Sequence, residues 1–197
     1  MASLRRTILL QSSGEFFHIY NRGVNRERLF CSDHDYQFFL DLLKSALDPS
    51  QLALHVYSLM PNHFHLILLQ IKPRALSTYL KEVEEKFAKA INKLRNRSGH
   101  LFQGRYEMIH VDKTSYLLSL SRYIHLNPVH AHLAEEAEDW RYGSAWAYHN
   151  GDGSGFLSTD VILSQAGGSS AYWKYLHSDL PLYGEELFKY LIDRELL

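Results

Sequence analysis

The sequence holds a single cysteine, Cys31, in 197 residues. A lone thiol excludes an internal disulfide framework and any metal site built on several thiolates, and it suits a reducing compartment. Long apolar runs are also missing, none approaching the roughly 18 residues of a membrane span. Arg5 and Arg6 precede an apolar stretch too short for a secretory signal, so the cytoplasm is the expected location. Proline is scarce at 5 residues and 22% of the chain is charged, which fits neither a disordered nor a collagen-like composition. What is present is a 46% hydrophobic content, enough for one good core and a small appendage. The expected organisation is a core over residues 1–130, with residues 131–197 as a helical extension of the same domain.

A net charge of −1 argues against a nucleic-acid partner until it is divided along the chain. Residues 1–30 carry +3, residues 31–71 carry −3, residues 72–106 carry +6, residues 107–130 are neutral, and residues 131–197 carry −7. The basic segments permit a local phosphate-binding surface that the whole-chain balance hides. Solvated helix faces are the alternative reading of the same charges.

Glu15–Tyr20 is aromatic and β-branched and ends at Asn21-Arg22-Gly23, which predicts a first strand. Ser32-Asp33-His34-Asp35 offers capping oxygens ahead of Tyr36, Phe39, Leu40, Leu43 and Leu47, whose spacing predicts a helix stopping before Pro49. Leu52–Met60 and His63–Ile71 are apolar runs joined at Pro61-Asn62, a hairpin signal. Leu76, Leu80, Val83, Phe87, Ile91 and Leu94 form one face of a second helix, from about Ala75 to Arg97. Leu101–Val111 then reads as one or two short strands around Gly104, and a third helix follows that Pro128 should terminate. The order β-α-β-β-α-β-α predicts an α+β fold, a ferredoxin-like split βαβ sandwich with an antiparallel sheet. A last helical pattern covers Glu185–Leu197.

His63-Phe64-His65 falls in the second hairpin strand, where side chains alternate faces, so both imidazoles point the same way. Two imidazoles so placed are half of a divalent-metal site. Histidines bonded to backbone groups are the alternative, in a chain with 12 histidines. On the third helix, Asn127 lies about 40° from Tyr123, and Tyr116 about 20° from it, so the three share a stripe. Leu117, Leu120 and Ile124 form the apolar stripe beside it, while His125 lies about 160° from Tyr123 and is a poor candidate for the same site. Asn127 would add a neutral oxygen that hard cations accept, leaving positions open for a phosphate. A tyrosine at a helix–sheet border is the plainer explanation of Tyr123, among 13 tyrosines.

Met60-Pro-Asn-His63-Phe-His65-Leu-Ile-Leu, Phe102-Gln-Gly-Arg105-Tyr and Arg122-Tyr123-Ile-His-Leu-Asn127-Pro-Val together resemble the single-tyrosine HUH transposases, in particular the REP-associated, IS200-like branch. Asn21-Arg22-Gly23 and Asp139-Trp140 are similar to that branch as well, and the resemblance covers about residues 10–150. It implies a ferredoxin-like enzyme that cuts and rejoins single-stranded DNA, often beside an imperfect hairpin, through a 5′-phosphotyrosine. By the same resemblance Tyr123 is the nucleophile, and His63, His65 and Asn127 hold Mg²⁺ or Mn²⁺. Arg105, Lys86, Lys89 and Lys93 are candidates for phosphate contacts, and Tyr106 and Phe102 for base stacking, with a solvated surface the alternative for each. A homodimer and a monomer are both compatible with the sequence. Two other functions remain open at this point: a regulator that binds single strands without cutting, and a metal-dependent phosphodiesterase that uses water, with Tyr123 merely structural.

Overall fold

A computed structural model describes residues 7–111, 114–150 and 156–179. The helical pattern expected over Glu185–Leu197 lies outside the described residues. Strand β1 (Glu15–Arg22) leads through a short 3₁₀ turn (Val24–Arg26) to helix α1 (Asp33–Ala46). The hairpin β2 (Leu52–Met60) and β3 (His63–Gln70) precedes helix α2 (Ala75–Leu94), strand β4 (Glu107–Val111) and helix α3 (Thr114–His130). A second 3₁₀ turn (Ala137–Asp139) and helices α4 (Ala145–Asn150), α5 (Asp160–Ala166) and α6 (Ser169–Leu176) follow among the described residues. The four strands form one sheet in the order β2-β3-β1-β4, antiparallel throughout. This is the ferredoxin-like arrangement the element order predicts, carrying a helical C-terminal extension.

Local chemistry explains most boundaries. The Ser32 side chain accepts from the Asp35 N–H while the Asp35 carboxylate accepts from Ser32 N–H, a capping box that starts α1. β1 runs two residues further than expected, because Asn21 and Arg22 stay in register with Phe64 and His63. It stops at Gly23, where a Cβ would lie 2.1 Å from the Glu27 carbonyl oxygen, so the chain turns where only glycine fits. α2 ends at Leu94 rather than Arg97, with Asn96 in the left-handed region (φ 47°) and the Arg97 N–H returning to the Asn92 carbonyl. Only one strand, β4, forms within Leu101–Val111.

Pro128 does not terminate α3. It sits inside the last turn, where its ring removes the N–H that would meet the Ile124 carbonyl. The turn still closes, since Ala131 N–H donates to the Asn127 carbonyl at 3.0 Å and Leu133 N–H to that of Pro128 at 2.9 Å. Asn127 therefore keeps helical phase with Tyr123.

The sheet has two differently covered faces. Phe17, Ile19, Phe64, Leu66 and Leu68 point to one, where Phe64 meets Phe39 of α1 and Phe102, and Phe87 of α2 meets both. All these side chains are less than a tenth exposed, and each fully buried one contributes about 1.5–3 kcal/mol of apolar burial. The opposite face carries His18, Tyr20, Arg22, His63, His65 and Ile67 and is crossed by α3, which packs against β2, β3 and β4. The free edge of β2 is covered by residues 140–144: Leu59 N–H donates to the Tyr142 carbonyl, Ser144 N–H to that of Tyr57, and the Trp140 indole to that of Leu59.

Candidate metal and nucleophile site

The two-residue hairpin at Pro61-Asn62 sets β3 so that His63 lies opposite Arg22 and His65 opposite Tyr20 on β1. The imidazoles of His63 and His65 share the face under α3, ring centroids 5.0 Å apart and nearly perpendicular. Phe64 points away from them into the core. Each ring is held through one nitrogen: His63 Nδ1 lies 2.7 Å from Asn62 Oδ1, and His65 Nδ1 lies 3.0 Å from His18 Nε2. Nε2 is therefore the atom each ring can offer to a cation.

Charge and burial keep both rings neutral. Burial, aided by the Arg22 guanidinium, pushes His63 down to about 4. Burial also holds His65 well below the usual imidazole value, and the neighbouring His63 and His18 add to this. Both rings carry a lone pair at neutral pH, the state a metal requires. The donor set thus fits a divalent cation.

The Tyr123 ring sits 5.8 Å from that of His65, edge to face, and is 3% exposed. Asn127 follows one turn later on the same helix and is partly exposed. Tyr116, the other tyrosine of that stripe, lies two turns before Tyr123. His125 faces elsewhere. Its Nδ1 is 2.7 Å from Tyr172 Oη on α6 and its Nε2 2.7 Å from Ser144 Oγ, so it ties α3 to the C-terminal extension.

The expected DNA contacts divide. Arg105 is exposed. Phe102 and Tyr106 are 8% and 4% exposed, with Phe102 packed on Phe64 and Phe87, so the structure places them in the interior and not on a stacking surface. Their apolar neighbours are distant in sequence, which hid this. Lys86, Lys89 and Lys93 are exposed on α2, across the sheet from His63 and His65. The +6 segment is further spent internally: Lys81, Lys86, Arg95 and Arg97 pair with Glu85, Glu82, Asp35 and Glu27.

Three neighbours of the site escaped the sequence reading. His18 stacks beside His65 at 5.2 Å, the Tyr20 ring lies tilted beside it at 6.0 Å, and Arg22 lies opposite His63. The signal was available, because residues 18, 20 and 22 alternate onto one face and the fold inserts β1 beside the histidine strand. A separate trio, Glu136, Glu138 and His177, brings donor atoms within 4.8 Å of one another. His177 Nε2 lies 3.1 and 3.6 Å from the two carboxylates, a polar cluster joining the end of α6 to the second 3₁₀ turn.

The family model described as IS200-like transposase matches residues 13–127. A solved structure of a REP-associated tyrosine transposase bound to a REP hairpin is similar in fold, with a TM-score of 0.58 at 18% identity, covering 75% of this chain and 84% of that one. A Deinococcus radiodurans R1 protein assigned as a transposase gives a TM-score of 0.41 at 17% identity, covering 55% of this chain and 87% of that one. No curated protein sequence matches. Among the described residues no helix is long and apolar enough to cross a membrane. The family match spans the sheet, the histidine pair and α3 as far as Asn127, and by it this chain belongs to the IS200-like transposase family.

Proposed function

We propose that this transposase cuts and rejoins single-stranded DNA beside a hairpin, with Tyr123 as the nucleophile and His63, His65 and Asn127 as ligands of Mg²⁺ or Mn²⁺. The observation that carries the reading is the meeting of three side chains from two elements: two imidazoles of β3 on one sheet face and the Tyr123 ring of α3 5.8 Å from the second. The hairpin in the similar solved structure supports the choice of substrate.

A phosphodiester resists attack because its anionic oxygens repel nucleophiles. A divalent ion, when bound, neutralises that charge and polarises phosphorus. His63 and His65 contribute fixed, uncharged nitrogen donors, and Asn127 an amide oxygen on a rigid helix. Arg22, beside His63, offers a guanidinium to a flanking phosphate. Tyr123 Oη forms a bond to phosphorus as the bond to the 3′-oxygen breaks; the phenol gives up its proton and the departing 3′-oxygen takes one. The products are a 5′-phosphotyrosine and a free 3′-OH. The ester keeps the energy of the broken linkage, so a 3′-OH from a second end can displace Tyr123 and reseal a strand.

The test is an incubation of the chain with Mn²⁺ and a hairpin-bearing oligonucleotide labelled at its 3′ end. The expected result is label covalently held on protein and an unlabelled fragment with a free 3′-OH. Tyr123→Phe should abolish the adduct while sparing DNA binding, and Tyr116→Phe should retain it. Cleavage with no adduct would assign water as nucleophile, and binding with neither would leave a regulator.

A further inference from the structure

His18 is fully buried on β1, in a chain that could fill the same space with phenylalanine at no polar cost. Its Nε2 lies 3.0 Å from His65 Nδ1, with the two rings stacked at 24° and 5.2 Å. Tyr20 packs on both rings, at 5.4 Å from His18 and 6.0 Å from His65, which restrains their planes.

A hydrogen bond between two imidazole nitrogens holds one proton, and its position has a chemical consequence. If His18 Nε2 donates, His65 Nδ1 accepts, the His65 proton sits on Nε2, and that ring has no lone pair for a cation. If His65 Nδ1 donates, its Nε2 lone pair is free. We propose that His18 is a positioning residue: it accepts the His65 Nδ1–H, fixing the tautomer and the ring plane that aim His65 Nε2 at the metal. The inference rests on the reading of His63 and His65 as ligands. It adds a requirement that the ligand set does not contain, namely that His18 carries its own proton on Nδ1.

Two readouts test it on the full chain without using activity. Nitrogen-15 NMR of the metal-free wild-type protein should show His65 protonated at Nδ1 and His18 unprotonated at Nε2; the reverse assignment overturns the proposal. Mn²⁺ titration followed by electron paramagnetic resonance should then show binding about 10–100-fold weaker in His18→Phe, which keeps a ring and removes the acceptor. His18→Gln, whose amide oxygen can accept the same proton, should recover most of that loss. His63→Ala and His65→Ala examine the underlying reading separately, since both should lose Mn²⁺ binding. Undiminished binding in those two variants, or no binding in the wild type, overturns the ligand assignment and the proposal with it. Lost binding there with wild-type affinity in His18→Phe overturns the proposal alone. The tautomer measurement uses the unaltered chain and so decides even if His18→Phe fails to fold.

Discussion

His55 occupies the irregularity in β2 between Leu54 and Val56, 1% exposed, its ring edge against Phe16. Among the described residues neither ring nitrogen has a hydrogen-bond partner, and burial pushes its pKa down to about 4 despite the opposing charge of Asp160. The folded state therefore holds His55 neutral, whereas the unfolded chain takes up a proton near pH 6.5. Since the unfolded state binds more protons below that pH, this residue's contribution is fully present above about 6.5 and is lost as pH falls toward 4. Replacement by leucine should flatten that acid limb and raise the midpoint of thermal unfolding, because it removes two buried polar atoms without partners. Calorimetry at pH 7 and pH 4.5 checks both, and an unchanged pH slope would show that His55 is not the group responsible. Asp35 works at lower pH. Burial raises its pKa, but the Cys31 and Ser32 N–H groups and the Arg95 guanidinium outweigh that and hold it below the usual carboxylate range. None of this is visible in the string of residues, where His55 is one more histidine and Arg95 one more surface cation.

At the scale of elements, α3 is fastened on two sides. Tyr123 meets the sheet, while on the other side a chain of hydrogen bonds runs from Ser144 through His125 and Tyr172 to Ser121. Ser144 Oγ lies 2.7 Å from His125 Nε2 and Tyr172 Oη 2.7 Å from His125 Nδ1, Tyr172 O–H donates to Ser121 Oγ at 3.1 Å, and Ser121 O–H to the Leu118 carbonyl at 2.7 Å. Arg122 adds bonds to the Tyr175 and Ser178 carbonyls, at 3.0 and 2.8 Å. Tyr172→Phe would leave the buried His125 Nδ1 without its Tyr172 partner, so it should cost about 1–3 kcal/mol in denaturant unfolding and speed amide exchange in α6. A cost under about 0.5 kcal/mol would mean the relay is not coupled to stability. The strands and the three long helices were legible because their signals are short-range: alternation in β3, a capping box at Ser32, a three-to-four spacing in α2. The bounds that shifted did so for a tertiary reason in β1 and for local ones in α2 and α3. Pairing of Arg22 with His63 lengthened β1, and the closing bonds beyond Pro128 carried α3 to His130.

Over the whole molecule, the sheet separates the His63–His65 face from the exposed lysines of α2, which alters how charge can serve DNA. Binding of a short single strand at the candidate site should depend on Arg22 and not on Lys86, Lys89 or Lys93. In fluorescence anisotropy across a salt series, Arg22→Gln should weaken binding and reduce the log–log salt slope by about 0.7 if one phosphate contact is lost. The triple lysine-to-glutamine variant should leave affinity and slope unchanged; a large loss there would move the DNA to the helical face. By itself the sequence determined that His63 and His65 share a strand face, that Asn127 and Tyr123 share a helix stripe, and that the elements follow the split βαβ order. Those are consequences of backbone repeats of two and 3.6 residues, which are set within a few residues of each site. Only the tertiary structure decided that β1 brings His18, 47 residues away, against His65, that Phe102 is interior, and that the basic helix lies behind the sheet. Each of these depends on strand order and on which layer covers which face, a global balance of apolar burial that no local window of residues contains.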